Sequence, residues 1–84
     1  MIHMLYFASL RERLGVGAED IELPSASANV AGLLEHLRSR GGTWSEALAP
    51  DRAVLVAVNQ EMAQEGTSLE DGDEVGLFPP VTGG

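Results

Sequence analysis

The sequence predicts an α+β domain in which one main helix packs across a mixed sheet, and three observations lead there. A single segment shows helical spacing over several turns, with Val30, Leu33, Leu34 and Leu37 at i, i+3, i+4 and i+7. Short apolar runs of strand character lie on both sides of it, at residues 1–8 and 53–58. The chain has 84 residues, 44% of them hydrophobic, and no visible repeat or linker, which is room for one core.

Residues 1–8 alternate as a half-buried strand does, with Ile2, Met4 and Tyr6 on one face and His3, Leu5 and Phe7 on the other. Residues 9–14 suit one helical turn, stopped by Gly15 and Gly17. A short strand over 20–23, closed by Pro24, completes a hairpin with a long connection. The main helix is predicted over 28–40. Ser27 or Asn29 can cap its start, Arg38 and Arg40 suit the negative end of its dipole, and Gly41-Gly42 stops it. Gly32, inside the helix, predicts close packing on the sheet. Trp44 is expected to plug the body from a loop, ahead of a helical piece at 45–48 that ends at Pro50. Residues 53–58, AVLVAV, are continuously apolar and predict a central strand buried on both faces. A brief return strand at 61–64, a turn at Asp71-Gly72-Asp73 and a last strand at 75–78 give the order ββαβ(β)β. In the last strand Val75 and Leu77 should face inward and Phe78 outward.

Composition excludes several kinds of chemistry. With no cysteine there is no disulfide, no thiolate metal site and no thiol nucleophile. Thirteen acidic residues against five basic ones give a net charge of −8, which repels nucleic acid. No run approaches the ~20 apolar residues of a membrane span, and the first residues read as a strand, so the expected compartment is the cytoplasm. All five basic residues are arginine, so no side-chain amine can accept an isopeptide bond. His3 and His36 pair with no nucleophile at a recognisable spacing, and no catalytic or metal-ligating residue is assigned. The run Glu70-Asp71-Gly72-Asp73-Glu74 lacks the order of a calcium loop and reads as a solvated turn. Neither a phosphate loop nor a dinucleotide fingerprint is present, so any ATP must be bound elsewhere.

The last residues, Pro79-Pro80-Val81-Thr82-Gly83-Gly84, are the strongest functional signal. Two prolines cannot continue a sheet ladder, so the sequence divides into a body over 1–78 and a flexible tail over 79–84. Pro80 holds Pro79 extended, and at ~3.3 Å per residue Val81 to Gly84 could reach roughly 13 Å into another protein. Gly83 and Gly84, without a Cβ, suit a narrow channel leading to an enzyme that acts on the terminal carboxylate. Phe7 and Phe78, if on one exposed patch beside the tail, would form a docking surface that Met62 could extend.

Tyr6-Phe7-Ala8-Ser9-Leu10-Arg11-Glu12, the stripe from Val30 to Leu37, Val58-Asn59-Gln60, Leu69 to Val75 and Phe78 to Gly84 together resemble the molybdopterin synthase small, sulfur-carrier subunits. The resemblance spans essentially the whole chain and is most specific in its C-terminal part. It implies the ubiquitin-like β-grasp fold, in agreement with the element order. It also implies that an adenylyltransferase of the ubiquitin-activating type, using ATP and Mg²⁺, adenylates Gly84, and that sulfur from a persulfide donor then converts the terminus to a thiocarboxylate. The tail would deliver that sulfur to cyclic pyranopterin monophosphate in the large synthase subunit, within a heterotetramer of two small and two large subunits. Catalytic groups would belong to the partner, and this chain would bind no cofactor. By position, Gly84 is the modified residue, Gly83, Thr82, Val81 and Pro80 form the tail, and Phe7, Arg11, Met62 and Phe78 are the docking surface. Met62 stands where a branched aliphatic residue is more usual, and any salt bridge made through lysine in the family is lost here. Three other roles stay open on the residues alone: a carrier for thiamine synthesis or tRNA thiolation, a ubiquitin-like modifier joined to lysines of other proteins, and an interaction module whose tail is never activated.

Overall fold

The computed structural model describes residues 1–23 and 28–80. Strand β1 (Ile2–Tyr6) buries Ile2, Met4 and Tyr6, as its alternation predicts. Helix α1 (Ala8–Leu14) is nearly two turns long where one was expected, because buried Leu10 anchors its middle. It ends on Gly15, whose φ of 75° is left-handed and whose N–H donates to the Arg11 carbonyl. Strand β2 (Ala18–Ile21) lies two residues earlier than predicted. Antiparallel pairing with β1, from Ile2 opposite Ile21 to Leu5 opposite Ala18, sets its limits, and Pro24 lies outside the described residues.

Helix α2 (Val30–Arg38) is shorter than the predicted 28–40 span. Ala28 and Asn29 are held extended instead: the Ala28 carbonyl accepts from Leu69 N–H at 2.9 Å, and Asn29 bridges to Ser68. Asn29 then caps the helix, its Oδ1 accepting from Gly32 N–H at 2.9 Å, while the alternative cap Ser27 lies outside the described residues. The close packing expected at Gly32 is not found. A Cβ there would meet only Asn29 Oδ1, at 3.4 Å. Val30, Leu33, Leu34 and Leu37 are buried against one face of the sheet, among Ile2, Met4, Tyr6, Val56, Val75 and Leu77. Each such side chain contributes roughly 1.5–3 kcal/mol of transfer free energy.

Trp44 does not sit in a loop but within a short helix, α3 (Thr43–Ala47), which also starts two residues before the predicted piece. It does pack on the body, partly buried against the core. Strand β3 (Leu55–Val58) buries Val56, whereas Leu55, Ala57 and Val58 are only half-buried, which corrects the expectation of a strand covered on both faces. The reason is its place in the sheet, whose order is β2-β1-β5-β3-β4. Strand β5 (Glu74–Phe78) is the central one, parallel to β1 and antiparallel to β3. Beyond β3 lies only β4 (Glu61–Met62), two residues where four were predicted. One long helix across a mixed five-stranded sheet is the β-grasp arrangement.

Candidate functional site

Alternation along the strands and the register between them decide what the second face of the sheet carries. Leu5 pairs with Gly76, Gly76 with Ala57, and Ala57 with Met62, so these four residues form a row across the face opposite α2. Leu55 pairs with Phe78 in the next row towards the end of β5. Phe7 joins them because its N–H donates to the Leu77 carbonyl at 3.1 Å, carrying the β1–β5 pairing one residue beyond β1. Its ring lies over Gly76: a Cβ on that glycine would sit 3.1 Å from Phe7 Cε2. Phe7 and Phe78 meet edge to face, with ring centroids 6.1 Å apart and an interplanar angle of 74°.

Three of the four predicted docking residues, Phe7, Met62 and Phe78, therefore share one face. No described helix covers Phe7 or Met62, which are 45% and 65% exposed. Arg11 is differently placed. Its N–H donates to the Phe7 carbonyl, but its guanidinium lies on Gly17, where a Cβ would approach Arg11 Nε to 2.7 Å. Arg11 thus lines a shallow depression with Ala8, Glu12, Gly15, Val16 and Gly17 instead of joining the aromatic pair. Pro79 is half-buried and Pro80 exposed beyond the end of β5, while Val81, Thr82, Gly83 and Gly84 lie outside the described residues.

Sequence reasoning did not single out Leu55, Ala57 and Gly76 for this face. Leu55 and Ala57 alternate within a run that is apolar at every position, so their face could be read only once β5 was seen to lie between β1 and β3. Gly76 had no signal of its own; its role comes from the Phe7 ring above it.

The Val58-Asn59-Gln60 motif and the acidic run have a structural role. Asn59 and Gln60 take φ values of 51° and 70° at the β3–β4 turn. Asn59 Nδ2 donates to Asp73 Oδ1 at 3.0 Å, and its Oδ1 accepts from Glu74 N–H at 3.1 Å. Asp73 Oδ2 accepts from Glu70 N–H at 2.8 Å, and Asp71 pairs with the Met1 ammonium. The hairpin is thereby tied to the start of β5. Among the described residues, no group of three or more His, Asp and Glu side chains is arranged to hold a metal ion, and no helix is long and apolar enough to cross a membrane.

A second cluster lies on the covered side. Tyr6 OH donates to Glu19 Oε2 at 2.8 Å, Glu19 takes both nitrogens of the Arg40 fork at 2.8 and 2.9 Å, and the Arg40 guanidinium stands 4.4 Å over the Trp44 ring. Trp44 closes the circuit edge to face on Tyr6, with centroids 5.4 Å apart. The Arg40 hydrogen bond holds the Glu19 carboxyl below its ordinary range, and burial pushes the Tyr6 phenol up. These groups join β1, β2, the turn after α2, and α3; they do not line the open face.

The model of the ThiS family matches residues 4–84. The chain belongs to the ThiS family. Among relatives of this ThiS-family chain is the molybdopterin synthase sulfur carrier subunit of Haemophilus influenzae, 40% identical over 84 residues that span 100% of both chains. The subunit of the same name in Escherichia coli is 41% identical over 86 residues, again covering 100% of each. The crystal structure of SAMP1, a small archaeal modifier protein of Haloferax volcanii, is 28% identical and aligns over 99% of this chain and 98% of that one with a TM-score of 0.83. The described residues of this ThiS-family chain therefore have the ubiquitin-like β-grasp fold.

Proposed function

We propose that this chain is the sulfur-carrier subunit of a molybdopterin synthase. The observation that carries the reading is the match to the Haemophilus influenzae carrier subunit over 100% of both chains, Thr82-Gly83-Gly84 included. The open face is the second support, since an aromatic pair beside a half-buried apolar row suits an interface in which a few large side chains carry much of the energy. The large synthase subunit docks there through Phe7, Phe78 and Met62, with Arg11 at the margin, in an assembly of two small and two large chains.

In this proposal the Gly84 carboxylate attacks the α-phosphorus of ATP on an adenylyltransferase of the ubiquitin-activating type, releasing pyrophosphate. The acyl-adenylate gives the carbonyl the leaving group that a carboxylate lacks. The terminal sulfur of a persulfide donor displaces AMP, and a further thiol cleaves the S–S bond to leave a thiocarboxylate. In the large subunit this nucleophilic sulfur bonds to a carbon of cyclic pyranopterin monophosphate, water hydrolyses the resulting thioester so that the sulfur stays on the pterin and the Gly84 carboxylate is regenerated, and a second carrier completes the dithiolene. ATP and Mg²⁺ belong to the activating enzyme, the reacting groups other than Gly84 belong to the partners, and the proposed compartment is the cytoplasm.

Intact mass after incubation with MgATP, the cognate activating enzyme and a persulfide donor tests the reading: one oxygen should be exchanged for sulfur at Gly84. An unchanged mass would end it. Extending the chain by one residue after Gly84 should abolish the exchange while leaving the circular dichroism spectrum unchanged. Exclusive association with a thiazole synthase would move the chain to thiamine synthesis. The likeness to the archaeal modifier favours one second reading, attachment to other proteins, and target peptides bearing isopeptide-linked Gly84 would establish that.

A further inference from the structure

At the pole where the tail leaves the body, Ser9, Leu10, Arg13, Ala47, Arg52, Ala53, Pro79 and Pro80 line a groove of about 240 Å³. Its charge is opposite to that of the molecule. The chain carries −8, yet the groove has two arginines and no carboxylate among its lining residues. The carboxylates adjacent in sequence, Glu12 and Asp51, do not line it. Two of the five arginines have internal partners: Arg40 is paired with Glu19, and Arg38 Nε donates to the Leu48 carbonyl. Arg13 and Arg52 are exposed, and among the described residues neither has an ion-pair partner. Pro79, which lines the groove, directly follows Phe78 of the proposed docking face.

We infer that Arg13 and Arg52 form a receptor for carboxylate side chains of the protein that takes up the tail, at the mouth of the channel that receives it. The inference rests on the proposed tail chemistry and adds what holds the root of the tail in register. Any protein that works on Gly84 must bring its surface to this pole, since only four residues, at ~3.3 Å each, separate the terminus from Pro80. Two guanidinium groups beside that path repel a basic rim and can donate paired N–H bonds to carboxylates. Carboxylates are favoured over the phosphates of ATP because the reacting carbonyl lies at the far end of those four residues, whereas the arginines lie at their root. In a molecule of −8, this is also a place where an acidic rim can approach without like-charge repulsion, which gives the interface direction as well as affinity.

The experiment compares wild type with Arg13→Gln/Arg52→Gln and Arg13→Lys/Arg52→Lys, using the cognate activating enzyme and the large subunit as binding partners at two salt concentrations. The glutamine pair should raise the dissociation constant for at least one of them about tenfold and flatten its salt dependence, while the lysine pair, which keeps the charge but loses the bidentate fork, should keep the salt dependence and fall between wild type and the glutamine pair. Thermal melting checks that both variants fold. Unchanged dissociation constants for both partners would overturn the inference. So would a rise in the KM for ATP during activation without any loss of binding, because that places phosphate, not carboxylate, beside the arginines. Failure of the wild-type chain to exchange oxygen for sulfur would instead count against the proposed function, so the two failures are distinguishable.

Discussion

Tyr6 and Phe7 are neighbours in sequence and opposites in the fold. Tyr6 is 1% exposed, with its ring against Trp44 and its hydroxyl on Glu19; Phe7 is 45% exposed, with its ring on Gly76 and against Phe78. Both belong to edge-to-face aromatic pairs of similar geometry, at 5.4 and 6.1 Å. The Tyr6 pair is enclosed by an ion pair and the core and serves stability. The Phe7 pair has no described element over it, so its unspent contact area is available to a partner. Period-two alternation separated the two residues, and the placement of α2 on one face alone gave them different roles.

The comparison breaks most visibly at Tyr6. Tyr6→Ala should lower unfolding free energy by about 3–5 kcal/mol, read from urea denaturation. A loss below about 1 kcal/mol would mean that the Tyr6–Trp44 side is not the rigid one. Phe78→Ala should weaken binding of the large subunit by about 1–3 kcal/mol in calorimetric titration, and an unchanged dissociation constant would remove Phe78 from the interface. Acid titration sharpens the contrast further. Because the folded-state pKa of Glu19 is depressed, its stabilisation is present above the unfolded value of about 4.3 and is lost as pH falls through the folded value. Glu19→Gln should therefore flatten the acid limb of the stability profile without altering partner binding. The smallest effect is expected at Met62. Met62→Ala should cost less than about 1 kcal/mol of binding and leave the melting temperature unchanged, as suits a flexible side chain 65% exposed at the edge of the patch.

Legibility followed the same division. The α2 stripe was readable because burial on one side imposes a helical period, and all four of its residues are in the core. Its ends were not, because Ala28 and Asn29 are drawn into extended pairing with Ser68 and Leu69, far along the chain. Phe7, Phe78 and Met62 could be named from their chemistry and spacing, yet their sharing a face depended on β5 lying between β1 and β3. The Tyr6–Glu19–Arg40–Trp44 circuit had no local signature, since its members come from four separate segments.

By itself the sequence determined the charge, the absence of thiols and lysines, the apolar stripe and strand alternation, and the Gly83-Gly84 pair; these are properties of composition or of near neighbours. Only the tertiary structure decided that the last strand occupies the middle of the sheet, that no described helix covers one side of that sheet, and that Arg13 and Arg52 line one groove beside the prolines. The physical reason is that register, layer and neighbourhood are relations between distant segments, and a local pattern specifies which face a residue takes but not what comes to lie against it.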